Sequence, residues 1–146
     1  MASEADHLAL ANKNHDVLMH LMDDVDRFPE WITVLAFYKA VQVVEAVFDH
    51  KHGGGCHGHP ARLDALKRRG YQSLFRHYRL LWAASSVARY LYDTVEQTPY
   101  KSFTDYRTPE QVARNLVNRR LRAIEDEAVG LLSESGRKQL HRLPAK

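Results

Sequence analysis

The stretch from Pro29 to about His50 constrains this chain more than any other. It is apolar nearly all round, broken only by a narrow polar stripe of Tyr38, Gln42, Glu45 and Asp49. A helix with so little polar surface belongs in the centre of a bundle, wrapped by others. Three further segments supply the wrapping. Leu8, Ala11, His15, Leu18, Met22 and Val25 recur at three-four spacing in a helix expected over residues 3–24, which Ser3 and Asp6 open as cap and third residue. Leu74, Tyr78, Leu81, Ser85, Ala88 and Tyr92 form a continuous stripe over residues 71–96. Within it, the run from Ala83 to Ser86 is small enough to let another helix approach closely. Thr108, Pro109 and Gln111 begin a last helix reaching about Leu132. Pro60 opens a short extra helix ended by Gly70. The expected fold is all-α, a four-helix bundle with one short additional helix. Residues 1–132 make the single domain, and the basic tail 133–146 is expected to fray.

Composition narrows the setting. A chain of 146 residues suffices for one real core. One cysteine excludes an internal disulfide framework and fits a reducing compartment. The N-terminus is acidic and lacks a compact apolar run, so no signal peptide is expected. The apolar run from Trp31 to Phe48 carries Lys39 and Glu45, and reads as too short and too charged to span a bilayer. These points place the protein in the cytoplasm with no membrane partner. The net charge of +3 hides an asymmetry: residues 1–50 hold nine acids and three bases, whereas residues 62–122 hold thirteen bases and five acids. A basic half of that kind attracts polyanions or docks on an acidic surface, but spread over about sixty residues it is more commonly the solvated faces of helices.

Between the second helix and the short one lies a corner dense in imidazole: His50, His52, Cys56, His57 and His59 fall within ten positions, around Gly53, Gly54 and Gly55. One reading is a metal site held by His52, Cys56, His57 and His59, with Glu45 reaching in from the helix before. The spacing matches no familiar structural zinc pattern, so no metal is favoured, and the centre of the corner reads as a mobile loop. It is not a P-loop either, having no Gly-Lys-Ser/Thr, and the sequence calls for no cofactor. His59 and Arg62 make a sharper pair. A His just before a helix and an Arg one turn in can face the same way, as acid/base and as anchor for developing charge in RNA cleavage. Alternatively His59 caps the short helix, and Arg62 pairs with Glu45 in a buried network. Arg89, on an otherwise apolar helix, calls for a carboxylate, with Glu45 or Asp49 as natural partner. Asn12 and His15 can join the same network. Tyr78, Trp82, Tyr90 and Tyr92 suit either base stacking or the core.

Several of these residues together resemble a known group. His7, Ala11-Asn12, Trp31, Phe37-Tyr38-Lys39-Ala40, Glu45-Ala46, His59-Pro60-Ala61-Arg62, Tyr78-Arg79-Leu80-Leu81 and Ser86-Val87-Ala88-Arg89-Tyr90 follow a pattern similar to small bacterial members of the HEPN superfamily. The resemblance covers roughly residues 5–95. It implies a helical bundle that forms a homodimer and binds RNA or a nucleotide, in toxin–antitoxin or defence systems, with an antitoxin or nucleotidyltransferase as partner. It implies metal-independent ribonuclease activity only where an Arg-x4-6-His motif is present. Here Arg69 and His77 have seven residues between them, and Arg137 and His141 three. The resulting expectation is a polar pocket with His59 and Arg62 as candidate catalytic residues and Asn12, Glu45 and Arg89 as ligand-binding ones. The competing expectations are a non-catalytic assembly module and a metal-binding protein.

Overall fold

A computed structural model describes residues 1–145; Lys146 lies outside the described residues. Helix α1 (Glu4–Met22) starts where Ser3 and Asp6 bond each other reciprocally. Its Glu4 N–H donates to Asp49 Oδ2 at 2.8 Å, so the far end of the central helix satisfies a second open donor. Helix α2 (Pro29–His52) begins on Pro29 and stops at Gly53, whose φ of 73° is left-handed. It runs two residues past the expected end, taking Lys51 and His52 into the helix. Helix α3 (His59–Arg68) opens on His59 and Pro60, and Gly70 follows it at φ 83°.

Helix α4 (Gln72–Tyr90) is shorter than its apolar stripe predicts. Leu91 turns left-handed at φ 57°, and Tyr92–Asp93 (β1) pairs antiparallel with Thr98–Pro99 (β2). The reason is local: Asp93 Oδ1 accepts the N–H groups of Val95 and Glu96, which stabilises a turn in place of another helical one. Helix α5 (Phe103–Tyr106) lies in the segment between this hairpin and the last long helix.

The last long helix starts as expected, with the Thr108 and Gln111 capping box on α6 (Pro109–Gln111). It then widens into a π-helical segment, Val112–Leu121, before returning to α form in α7 (Arg122–Val129). The side chains give the reason. Val112, Leu116, Val117 and Leu121 are all buried. Val112 and Leu121 are nine residues apart, two and a half α turns, and would face opposite sides at about 3.6 residues per turn. The wider i→i+5 winding brings both to the core.

Helix α2 occupies the centre. Phe37, Ala40, Val43, Val44, Val47 and Phe48 are fully buried against α1, α4 and the 109–129 helix. By length and composition α2 could cross a membrane, contrary to the expectation that it is too short, but 72% of its most apolar window is buried inside this bundle. Ala83, Ala84, Ser85 and Ser86 are all buried within α4, which packs against α2, α3 and the last long helix. The all-α bundle with a short extra helix is therefore the fold.

The tail from Ser133 does not fray through Ala145. Helix α8 (Glu134–Gln139) packs on α1, and Leu140 and Leu143 join the core. Glu4 accepts both the N–H and the hydroxyl of Ser133, and a Cβ on Gly136 would stand 2.8 Å from the same carboxylate. Asn12 holds the end of α8 and the segment that follows, donating to Gln139 O at 2.9 Å and accepting from His141 N–H at 2.8 Å. Burial and backbone pairing hold this segment in place despite its polar composition.

Candidate functional site

Three of the five expected pocket residues meet. Arg62, one turn into α3, is buried and faces back on α2. Its Nε donates to Glu45 Oε1 at 2.6 Å, its Nη1 to His59 Nδ1 at 3.0 Å and to Tyr78 Oη at 3.1 Å, and its Nη2 to Cys56 O at 3.3 Å. Four of the five guanidinium donors are thus consumed inside the protein. Burial works against this charge, but Tyr78 and Glu45 outweigh it and hold the Arg62 pKa above its usual value. Burial also pushes the Tyr78 hydroxyl up to about 12, so it stays a neutral partner.

The glycine loop closes the arrangement. The Cys56 N–H donates to the Glu45 carboxylate at 3.1–3.2 Å. Gly55 allows it: a Cβ there would fall 1.5 Å from Glu45 Oε2. The centre of the histidine corner is therefore not a free loop but a clasp over Glu45, with His50 and His52 in α2 before it.

The arrangement decides what His59 can do. Arginine only donates, so His59 Nδ1 accepts and the neutral ring carries its proton on Nε2. Burial first, then the charges of Arg62 and Arg89, hold its pKa below the usual value. His59 packs among Phe37, Tyr38 and Trp82, with ring centroids 4.9, 6.2 and 6.1 Å away. It offers an N–H donor and no open lone pair, so the geometry lacks the base that RNA cleavage by this pair would need.

Arg89 and Asn12 stand elsewhere than expected. Glu45 is taken by Arg62, and Asp49 by the Glu4 N–H, so neither pairs with Arg89. Arg89 instead donates to Ser85 O and Tyr38 Oη, each at 3.2 Å, and lies over the rings of Tyr38 and Tyr90. It is only half-buried at the end of α4, and a guanidinium that reaches water needs no carboxylate. Asn12 belongs to the C-terminal segment and not to this pocket.

The alternative metal set does not assemble. His52 Nε2 lies 2.9 Å from Tyr71 Oη, His59 is held by Arg62, and His57 is exposed. Among the described residues no three His, Cys, Asp or Glu side chains converge on a point where a metal ion could sit.

A second buried network escaped the sequence reading. Lys39, fully buried on α2, donates to Glu125 Oε2 at 2.5 Å, to His15 Nδ1 at 2.8 Å and to His141 O at 2.8 Å. Glu125 Oε1 accepts the Leu143 N–H at 2.8 Å. Burial, followed by the Lys39 charge, brings the His15 pKa down to about 4. The signal was present: a lysine on an apolar helix needs a carboxylate, by the same logic applied to Arg89. What the sequence did not show was that the tail would supply the third acceptor.

Two cavities bear on the expected pocket residues, one at the Glu45–Arg62 pair and one at Arg89. One of about 190 Å³ is lined by Gln42, Glu45, Cys56, His57 and Arg62. The other, about 290 Å³, is edged by Glu30, Trp31, Val34, Ala88, Arg89 and Tyr90. Trp31 and Tyr90 are 63% and 67% exposed, an unusual state for large aromatics and one associated with binding surfaces. Tyr78, by contrast, is core. Comparison of the chain with protein-family models, with curated proteins and with solved structures finds no match.

Proposed function

We propose that this protein binds a nucleotide or RNA without cleaving it, in the cleft between the start of α2 and the end of α4. The observation that carries the reading is the pairing of Arg89 with two exposed aromatics, Trp31 and Tyr90, around one cleft. A guanidinium suits a phosphate and the rings suit a base. Glu30, on the same cleft, can accept from base amino groups or ribose hydroxyls. The non-nuclease form of the HEPN resemblance points the same way, and a toxin–antitoxin or defence setting rests on that resemblance alone. The test is fluorescence anisotropy with a labelled adenosine nucleotide and a labelled single-stranded RNA. Trp31→Ala should weaken binding by about 1–3 kcal/mol, Arg89→Ala should weaken it too, and the RNA should stay intact on a denaturing gel.

A second reading draws on the same exposure. Trp31, Tyr90, Leu91 and Tyr92 also suit an assembly surface, including a homodimer. Wild-type protein that binds neither probe yet associates with rising concentration in sedimentation, and loses that association in Trp31→Ala, would replace the first reading with this one.

A further inference from the structure

The basic half of the chain holds a cluster that neither the cleft nor the buried networks use. Arg76 and His77 lie on the first half of α4, and Arg119 and Arg120 at the end of the π segment packed against it. Arg120 Nη1 donates to His77 Nδ1 at 3.2 Å and ties the two helices together. Arg107, just past α5, donates to Tyr106 O at 2.9 Å and stacks over the Tyr106 ring. Burial first, then the charges of Arg119, Arg76 and Arg107, hold the Arg120 pKa below its usual value. The Arg120–His77 contact places Arg76 and Arg119, their neighbours in sequence, at the same junction of α4 with the π segment.

Counter-ions occupy five of the arginines; Arg27, Arg69, Arg89, Arg122 and Arg137 also form no ion pair among the described residues, but they do not adjoin this cluster's junction of α4 with the π segment. Arg62, Arg68, Arg79, Arg114 and Arg142 each pair with a carboxylate. Among the described residues Arg76, Arg107, Arg119 and Arg120 form no ion pair. Three acids come near, of which Asp93, in a cavity shared with Arg107, is committed to the Val95 and Glu96 N–H groups. Glu96 is committed to Arg79 at 3.3 Å, and Glu127 acts on His77 through its charge without pairing with any arginine of the cluster. His77 accepts from Arg120, so its ring, held neutral by burial and by Arg120, also presents an N–H. Beyond His77 Nδ1 and Tyr106 O, the face offers donors and positive charge with no carboxylate paired to them among the described residues. Phosphate oxygens are acceptors only, and arginine meets them with paired donors.

We propose that Arg76, Arg107, Arg119 and Arg120, with His77, form a phosphate-binding site that takes phosphodiester or polyphosphate groups. It is independent of the Trp31 and Arg89 cleft: residues 76 and 89 are thirteen positions apart on α4, a rise of roughly 20 Å. Arg76 and Arg119 are exposed, so replacing them leaves the fold intact.

The experiment measures binding of a labelled twelve-nucleotide single-stranded RNA and of tripolyphosphate, each at several salt concentrations. Wild type should bind at least one probe saturably, with affinity falling as salt rises. Arg76→Gln with Arg119→Gln should weaken that binding roughly tenfold or more and lower the RNA salt slope by about 0.7 per lost contact. Arg27→Gln with Arg137→Gln removes the same charge elsewhere and should leave binding near wild type. Arg89→Ala should leave tripolyphosphate binding unchanged. RNA displaced by tripolyphosphate identifies the shared phosphate chemistry. RNA bound but not displaced identifies the nucleic-acid backbone, and tripolyphosphate bound alone identifies a free polyphosphate. The proposal is overturned if neither probe binds saturably at low salt, if the Arg76/Arg119 variant binds as wild type, or if the Arg27/Arg137 variant loses as much.

Discussion

Glu45 Oε1 accepts a 2.6 Å hydrogen bond from Arg62 Nε, with both side chains buried at the junction of the central helix and the short one. The pair joins three segments at once: α2 supplies the carboxylate, α3 the guanidinium, and the glycine loop between them the backbone N–H that completes the acid.

Removing one partner strands the other charge. Glu45→Leu should destabilise the protein by about 3–5 kcal/mol, which for a domain of this size lowers Tm by about 6–20 °C. Gly55→Ala should also destabilise it, since its methyl group must displace the Glu45 carboxylate. Thermal melts followed by circular dichroism check both. A Gly55→Ala protein with wild-type Tm would show that the clasp does not close in solution.

The Lys39 network should behave as a unit. Lys39→Met leaves Glu125 buried without its cation and should cost about 3–5 kcal/mol. The double variant Lys39→Met with Glu125→Leu should be less destabilised than the two single costs added together, because it leaves no unpaired charge behind. Urea denaturation of the four proteins gives the coupling. Simple additivity would contradict the 2.5 Å contact between these groups.

Stability should fall in mild acid. His15 titrates at about 4 in the folded protein against an ordinary value of 6.5. Between those pH values the unfolded chain binds the proton more readily, so this histidine's contribution is complete above 6.5 and is lost as pH falls to about 4. The loss is on the order of 3 kcal/mol. His15→Gln keeps an acceptor for Lys39 and cannot titrate, so its urea midpoint should change less with pH across that window. An equal slope in both proteins would remove His15 as the cause.

The helices and their starts were legible because their causes are local. Ser3 with Asp6, Thr108 with Gln111, and Pro29 and Pro60 each act within a few residues, and the apolar spacing of α1 and α4 needs no knowledge of what packs there. The central position of α2 followed from the same logic. The pairing of Arg62 with Glu45 was among the readings the residues allowed, since a buried cation one turn into a helix requires an anion.

What only the tertiary structure decided is which acid meets which base, and which face stays open. Asp49 goes to the Glu4 N–H, Glu45 to Arg62 and Glu125 to Lys39, because these choices depend on how helices distant in sequence cross. The polar tail is ordered for the same reason: Asn12, Lys39 and Glu125 await its backbone from three different helices. The π winding of Val112–Leu121 answers to a core that the segment alone does not show. Arg76 and Arg119 are forty-three positions apart, and packing of α4 on the last helix makes them neighbours. Local hydrogen bonding and periodicity thus determined the elements, while long-range burial assigned the buried charges their partners and gathered Arg76, Arg119 and Arg120 at one junction without a paired carboxylate among the described residues.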